Sequence, residues 1–278
     1  MKEFDMRLAS RFGRGSNLIY SNSALADDEI RAVAPSIFAE AAHESRSGRY
    51  TYIPTIDVLR GLRKEGFQPF MACQTRVRDS GKREHTKHML RLRHAGQIVG
   101  REVNEIILLN SHDGTSSYQM LAGMFRFVCH NGMICGEVQN DIRVRHNGDV
   151  VGEVIEGAFR VLDSFEAITE QREAMQGLAL NDGEQAAFAR AALQLKYDEV
   201  TAPITEDQIL MPRRIEDRSN DMWRTFNRVQ ENLLKGGLRG RNASGRTTTT
   251  RPVNGIDQSV KLNRALWVLA EEMRKLKA

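Results

Sequence analysis

Between Phe67 and Val144 the chain is written in twos. Apolar and polar residues alternate in short runs, and glycine-bearing turns separate them: DSGKR, HAGQ, HDGT and HNGM. Alternation with period two sends successive side chains to opposite faces of a strand. Asp-Gly or Asn-Gly between two such runs is the strongest short-range hairpin signal. The pattern predicts strands near 67–78, 86–95, 103–110, 116–120 and 133–145, with a short helical or irregular piece at LAGMFRFVC, 121–129. So many antiparallel strands need helices to cover at least one face, and helical patterns stand on both sides of the run. DDEIRAVAPSIFAEA, from Asp27, has acids in its first turn and Pro35 to break it. TIDVLRGLRKEGF places Ile56, Leu59 and Leu62 on one face before Gly66 stops it. From Val150 the apolar period lengthens to that of a helix, through 150–178, GEQAAFARAALQLKY, DRSNDMWRTFNRVQENLLKGG and DQSVKLNRALWVLAEEMRKL.

The fold class expected is therefore α+β: a central antiparallel sheet, a β-meander, flanked by helices, with a mainly helical C-terminal half. Residues 1–172 are expected to form the α+β core. Residues 173–278 are expected to form a helical region carrying a basic, Gly/Thr-rich mobile loop at 235–255.

At 278 residues the chain can bury one substantial core, or one core and a smaller domain. Its three cysteines, Cys73, Cys129 and Cys135, are too few and odd in number for a disulfide framework, which fits a reducing cytoplasm. No signal-peptide pattern opens the sequence, and no apolar run approaches membrane-span length. A soluble cytoplasmic protein without a membrane partner is expected.

The net charge of +4 is mild, so its meaning depends on clustering. Three Arg-x-Arg pairs lie on expected strands: Arg76/Arg78, Arg91/Arg93 and Arg143/Arg145. Strand alternation would turn Val77, Leu92 and Val144 inward, with Leu90 and Ile142, and all six guanidiniums outward on one face. Exposed strand faces are often charged, but three pairs without interleaved acids favour a polyanion partner. Lys87 stands beside this face, and the 235–255 loop adds Arg239, Arg241 and Arg246 with four consecutive threonines as further phosphate donors. Tyr118 or Phe125 is a candidate for stacking a base, with core packing the favoured reading for Phe125.

Catalytic patterns are weaker. Cys129 and Cys135 lack zinc-knuckle spacing, and HTKH puts His85 and His88 on opposite faces of a strand. No phosphate-binding loop, nucleophile elbow or dinucleotide fingerprint is present, so no cofactor and no metal are expected. LLNSHDGTSSY, Leu108–Tyr118, reads as a structural hairpin turn, with Asn110, His112 and Asp113 as candidates rather than assigned functional residues. An enzyme gathering His112, Asp113, Cys129 and His130 into one pocket stays open as an alternative, as does an interaction protein directed at host defence.

Several long motifs carry a resemblance: RYTYIPTIDVLRGLRKEGFQPFMACQTRVR, TKHMLRLR, EIILLNSHDGTSSYQMLAGMFRFVCHNGMICG, SNDMWRTFNRVQENLLKGGLRGRNASG and KLNRALWVLAEEMR. They resemble the domain of unknown function 932 family, in its enterobacterial plasmid and prophage branch typified by the YafZ and YubP proteins. That resemblance implies an accessory protein of mobile DNA and brings no activity with it. A helix followed by a basic-faced meander and a long helix is also similar, in architecture alone, to the ring-forming single-strand-annealing proteins such as RecT and Red-beta. The expectation that follows is a non-catalytic nucleic-acid-binding protein, single-stranded DNA favoured, with self-association implied by the second likeness.

Overall fold

The computed structural model describes residues 16–45, 52, 54–77, 80–97, 102–127, 131–136, 141–144, 150–198 and 201–277. Its elements are β1 (Ser16–Tyr20), α1 (Asp27–Val33), α2 (Thr55–Lys64), β2 (Phe67–Thr75), β3 (His88–His94), β4 (Glu102–Asn110), β5 (Tyr118–Arg126), β6 (Asn131–Ile134) and β7 (Ile142–Val144). There follow α3 (Val150–Asp163), α4 (Phe165–Gly177), α5 (Asp182–Gln194), α6 (Glu206–Leu210), α7 (Met222–Lys235), β8 (Arg239–Arg241), β9 (Thr247–Thr249) and α8 (Ile256–Lys277). The fold is α+β, and the C-terminal part is helical.

The chain divides into two compact units, Met1–Gly132 with Glu137–Phe165, and Met133–Gly136 with Glu166–Ala278. In the first, the strands follow sequence order from β1 to β5 and are antiparallel, with β7 on β5. The sheet curls. Tyr20 on β1 and Phe125 on β5 bring their rings to 5.6 Å although three strands lie between them. The opposite face is backed by α2 and α3: Phe67 meets Phe159 of α3, and Leu59 and Leu62 of α2 are buried. The α2 helix stops at Gly66, whose φ of 86° is readily reached only without a side chain.

Three expectations are corrected here. The segment 121–126 is strand, the second half of β5, because Leu121–Arg126 is buried on both faces and loses the alternation that marks a half-exposed strand. The stretch 133–145 is two strands, β6 and β7. The helical stretch 150–178 breaks at Ser164, whose hydroxyl donates to Val161 O at 2.6 Å.

The second unit is held by a polar, well-capped helix set. Asn181 and Glu184 exchange side-chain-to-backbone bonds at the start of α5, and Asp221 caps α7. Trp223, Phe226 and Trp267 pack together in its core. The expected mobile loop is instead a β8–β9 ribbon. Among the described residues no helix is long and apolar enough to cross a membrane.

Candidate functional site

Three places gather the residues that sequence reasoning singled out. The first is the concave side of the curled sheet. On β3 the residues alternate as expected, but both faces are covered, so Leu90 and Leu92 lie under the helices while Arg91 and Arg93 point into the curl. Arg91 is 4% and Arg93 1% exposed. The expectation that this pair faces solvent is therefore corrected.

The physical reason is Glu105, directed to the same side from β4. Its Oε2 accepts from Arg91 Nη1 at 2.9 Å, and its Oε1 accepts from Arg93 Nε and Nη2, each at 2.8 Å. One carboxylate thus serves two guanidiniums. The surplus positive charge is met by aromatic faces, since Arg93 Cζ lies 4.3 Å from the Phe70 centroid, 4.9 Å from Phe125 and 5.0 Å from Phe127. Such contacts gain strength when desolvated. The backbone at Gly132 rests on Arg91, where a Cβ would fall 2.1 Å from Nη1. Phe125 is thereby a wall of the arginine cage and not a free base-stacking platform.

The other two pairs divide differently. The β2 strand ends at Thr75, so Arg76 lies beyond it and is exposed, and Val77, expected inward, is exposed as well. Arg143 on β7 is exposed between inward-packed Val144 and half-buried Ile142, as alternation predicts. Lys87 is half-buried. Arg78, Arg145, Cys129 and His130 lie outside the described residues.

The second place is the turn after β4. Asp113 does not join His112. Its Oδ1 accepts from the Thr115 amide at 3.0 Å and the Thr115 hydroxyl at 2.6 Å, closing a local turn through Gly114. Burial raises this carboxyl, but bonds from Thr115 and Ser111 outweigh it and hold the group below its ordinary value. His112 and Asn110 instead point inward to Thr55, the first residue of α2.

Around the Thr55 hydroxyl stand His88 Nε2 at 2.9 Å, Asn110 Nδ2 at 3.0 Å, Tyr118 OH at 3.2 Å and His112 Nε2 at 3.3 Å. His88 Nδ1 lies 3.2 Å from Thr86 O and 2.9 Å from Ser36 Oγ. A carbonyl only accepts, so Nδ1 carries the proton, and Nε2 is left to accept from Thr55. Burial pushes His88 down to about 4, so the ring is neutral near pH 7. A hydroxyl on a neutral imidazole is nucleophile–base geometry, yet Thr55, His88, Asn110, His112 and Tyr118 are all buried at 1% exposure or less. The cluster ties α2 to β3, β4 and β5. Tyr118 belongs to it and is not available for stacking. Thr55 and Ser36 carried no sequence signal, and His88, weighed only as a ligand pair with His85, gave no sign of this contact, because 33 and 52 positions separate it from its bonded partners. Among the described residues no group of His, Cys, Asp or Glu is arranged to hold a metal ion.

The third place is the β8–β9 ribbon of the second unit. Arg239 pairs with Thr249 and Arg241 with Thr247, so these four share one face, and all four are exposed. The opposite face is Gly240 and Thr248. Gly240 is seated so closely that a Cβ would fall 1.7 Å from Pro203 O, and Arg241 N donates to that same carbonyl at 2.9 Å. At the tip, Asn242 Oδ1 accepts from Ser244 N and Arg246 N, which turns the chain and leaves Arg246 exposed. Among the described residues, Arg239, Arg241, Arg246 and Arg251 make no ion pair, whereas Lys235 is held by Glu231.

These features define an α+β protein with a helix-backed, curled antiparallel sheet in one unit and a basic ribbon on a helical second unit. The chain belongs to the family described as domain of unknown function DUF932, whose model matches residues 42–267. It is similar to two proteins of Escherichia coli strain K12, the UPF0380 protein YfjQ and the UPF0380 protein YafZ. It is 62% identical to each over 267 residues, which cover 96% of this chain and 97% of each relative. No solved structure matches.

Proposed function

We propose that this protein binds nucleic acid without catalysis, single-stranded DNA in preference, through the outward face of the β8–β9 ribbon, as an accessory protein of mobile DNA. The observation that carries the reading is the ribbon itself. Arg239, Arg241, Thr247 and Thr249 share one exposed face with Arg246 at its tip, and no acidic residue occurs between Glu231 and Asp257. Two arginines two apart on a strand stand about 7 Å from each other, and each presents a planar fork suited to a phosphate. Threonine hydroxyls beside them add donors to the same oxygens. Arg76 and Arg143 supply further exposed cations on the first unit.

Binding of this kind is sequence-tolerant and salt-dependent. The test is fluorescence anisotropy with labelled single- and double-stranded oligonucleotides at two salt concentrations, on the wild type and on Arg239→Ala/Arg241→Ala/Arg246→Ala. The triple variant is expected to bind more weakly and to lose about 2 units of log–log salt slope, roughly 0.7 for each phosphate contact to a single strand. No binding by the wild type at low salt, or an unchanged slope in the variant, sinks the reading.

A further inference from the structure

The ribbon has two roots, where the chain leaves α7 and where it returns after β9. A single side chain holds both. Lys196, just past the end of α5, donates from Nζ to Leu233 O at 2.5 Å and to Arg251 O at 3.2 Å. Leu233 lies in the last turn of α7, where carbonyls lack intrahelical donors and the helix end favours a cation. Other bonds close the same junction: Gly237 N donates to Thr250 O, Val253 N to Leu234 O and Arg213 Nη2 to Gly236 O. Of these donors, Lys196 alone bonds on both sides of the junction, to the end of α7 and to the chain after β9.

Its surroundings differ from those of the ion-paired lysines among the described residues. Lys235, Lys275 and Lys277 each sit on a carboxylate. Lys196 has two neutral carbonyls and the Tyr197 ring, 5.3 Å from Nζ, and among the described residues no carboxylate pairs with it. It is half-buried, and among the described residues no anionic group offsets its loss of hydration. A neutral amine keeps two N–H donors, one for each carbonyl, with its lone pair directed elsewhere. An amide nitrogen has one N–H and could serve only one root.

We propose that Lys196 is an acylation site, taking an acyl group from an acyl phosphate or acyl thioester, and that its modification unclasps the root of the ribbon. The Nζ lone pair attacks the acyl carbon, the N–C bond forms as the bond to phosphate or thiolate breaks, and the amine proton passes to solvent. No electron changes hands. Burial pushes the Lys196 ammonium down to about 8. At pH 8 the neutral amine is then about a hundredfold more populated than in an ordinary lysine. Lower basicity takes back part of that gain in nucleophilicity.

The experiment treats the full chain with acetyl phosphate at pH 8 and follows each lysine by mass spectrometry over time. Lys196 is expected to acetylate at least severalfold faster than exposed Lys64 and Lys261. Limited trypsin digestion then reads the clasp. Cleavage after Arg241 and Arg246 is expected to accelerate severalfold in the acetylated protein and in Lys196→Gln, and to stay at the wild-type rate in Lys196→Arg. Acetylation of Lys196 no faster than Lys64 overturns the site. Unchanged cleavage in both acetylated protein and Lys196→Gln overturns the clasp. Neither readout uses an oligonucleotide, so both stand apart from the reading of the ribbon as a nucleic-acid surface.

Discussion

Arg91 and Arg93 in β3, and Arg239 and Arg241 in β8, share a spacing and differ in everything around it. The first pair flanks Leu92 on a strand covered by helices behind and by its own curled sheet in front. Alternation there chooses only between two interiors, and the interior that receives the arginines contains Glu105 and three phenyl rings. The second pair flanks Gly240, and the missing side chain lets that face lie flush on Pro203 while the arginines face outward. Period two tells which residues share a side. What lies on that side is decided by the partner strands and by the residue between.

The largest expected effect separates the two pairs by stability. Glu105→Gln would leave two guanidiniums buried without their carboxylate, and should lower the unfolding free energy by about 3–5 kcal/mol in urea denaturation. Arg93→Met keeps the Arg91–Glu105 pair neutral and fills the space among the rings, so it should cost less than half as much. Equal losses for the two variants would show that charge balance does not govern the cage.

A second effect probes the sheet face opposite the cage. His88 titrates near 4 in the folded protein against about 6.5 when unfolded. Below pH 6.5 the unfolded chain takes up a proton that the folded chain refuses, so stability falls as pH drops towards 4 and levels off beneath it. The expected loss is up to about 3 kcal/mol. Thermal melts of wild type and His88→Gln across that range would show the difference, with the variant less steep. Parallel curves would mean that the ring is not held neutral.

The smallest effect belongs to the exposed pair. Arg239→Ala/Arg241→Ala should leave the unfolding free energy within about 0.5 kcal/mol of wild type, because neither side chain is buried or ion-paired. A cost comparable to that of Glu105→Gln would make the ribbon arginines structural and erase the contrast.

Much of this architecture was legible in the sequence. The strands β2, β3 and β4 follow from alternation and glycine turns, and α2, α5, α7 and α8 from helical spacing. What escaped had physical reasons. The second half of β5 reads as irregular because a strand buried on both sides has no polar beat. The ribbon reads as a loop because Gly and Asn outweigh the β preference of four threonines. The burial of Arg91 and Arg93 had one available signal, the lone acid in EIILLN, which matters only once β4 is placed beside β3. The Thr55 cluster had none as a group: Asn110, His112 and Tyr118 stand together in LLNSHDGTSSY, but Thr55 lies 55 positions before Asn110 and His88 comes from another strand.

Thr55 has a further consequence. A hydroxyl can give one hydrogen bond and receive two, and four polar side chains converge on this one. One bond is therefore redundant at any instant. The junction between α2 and the sheet behaves as a wheel with a spare spoke. Loss of one rim residue leaves the hub fully engaged, while loss of the hub disconnects every spoke at once. Variation can accumulate around Thr55 more easily than at it.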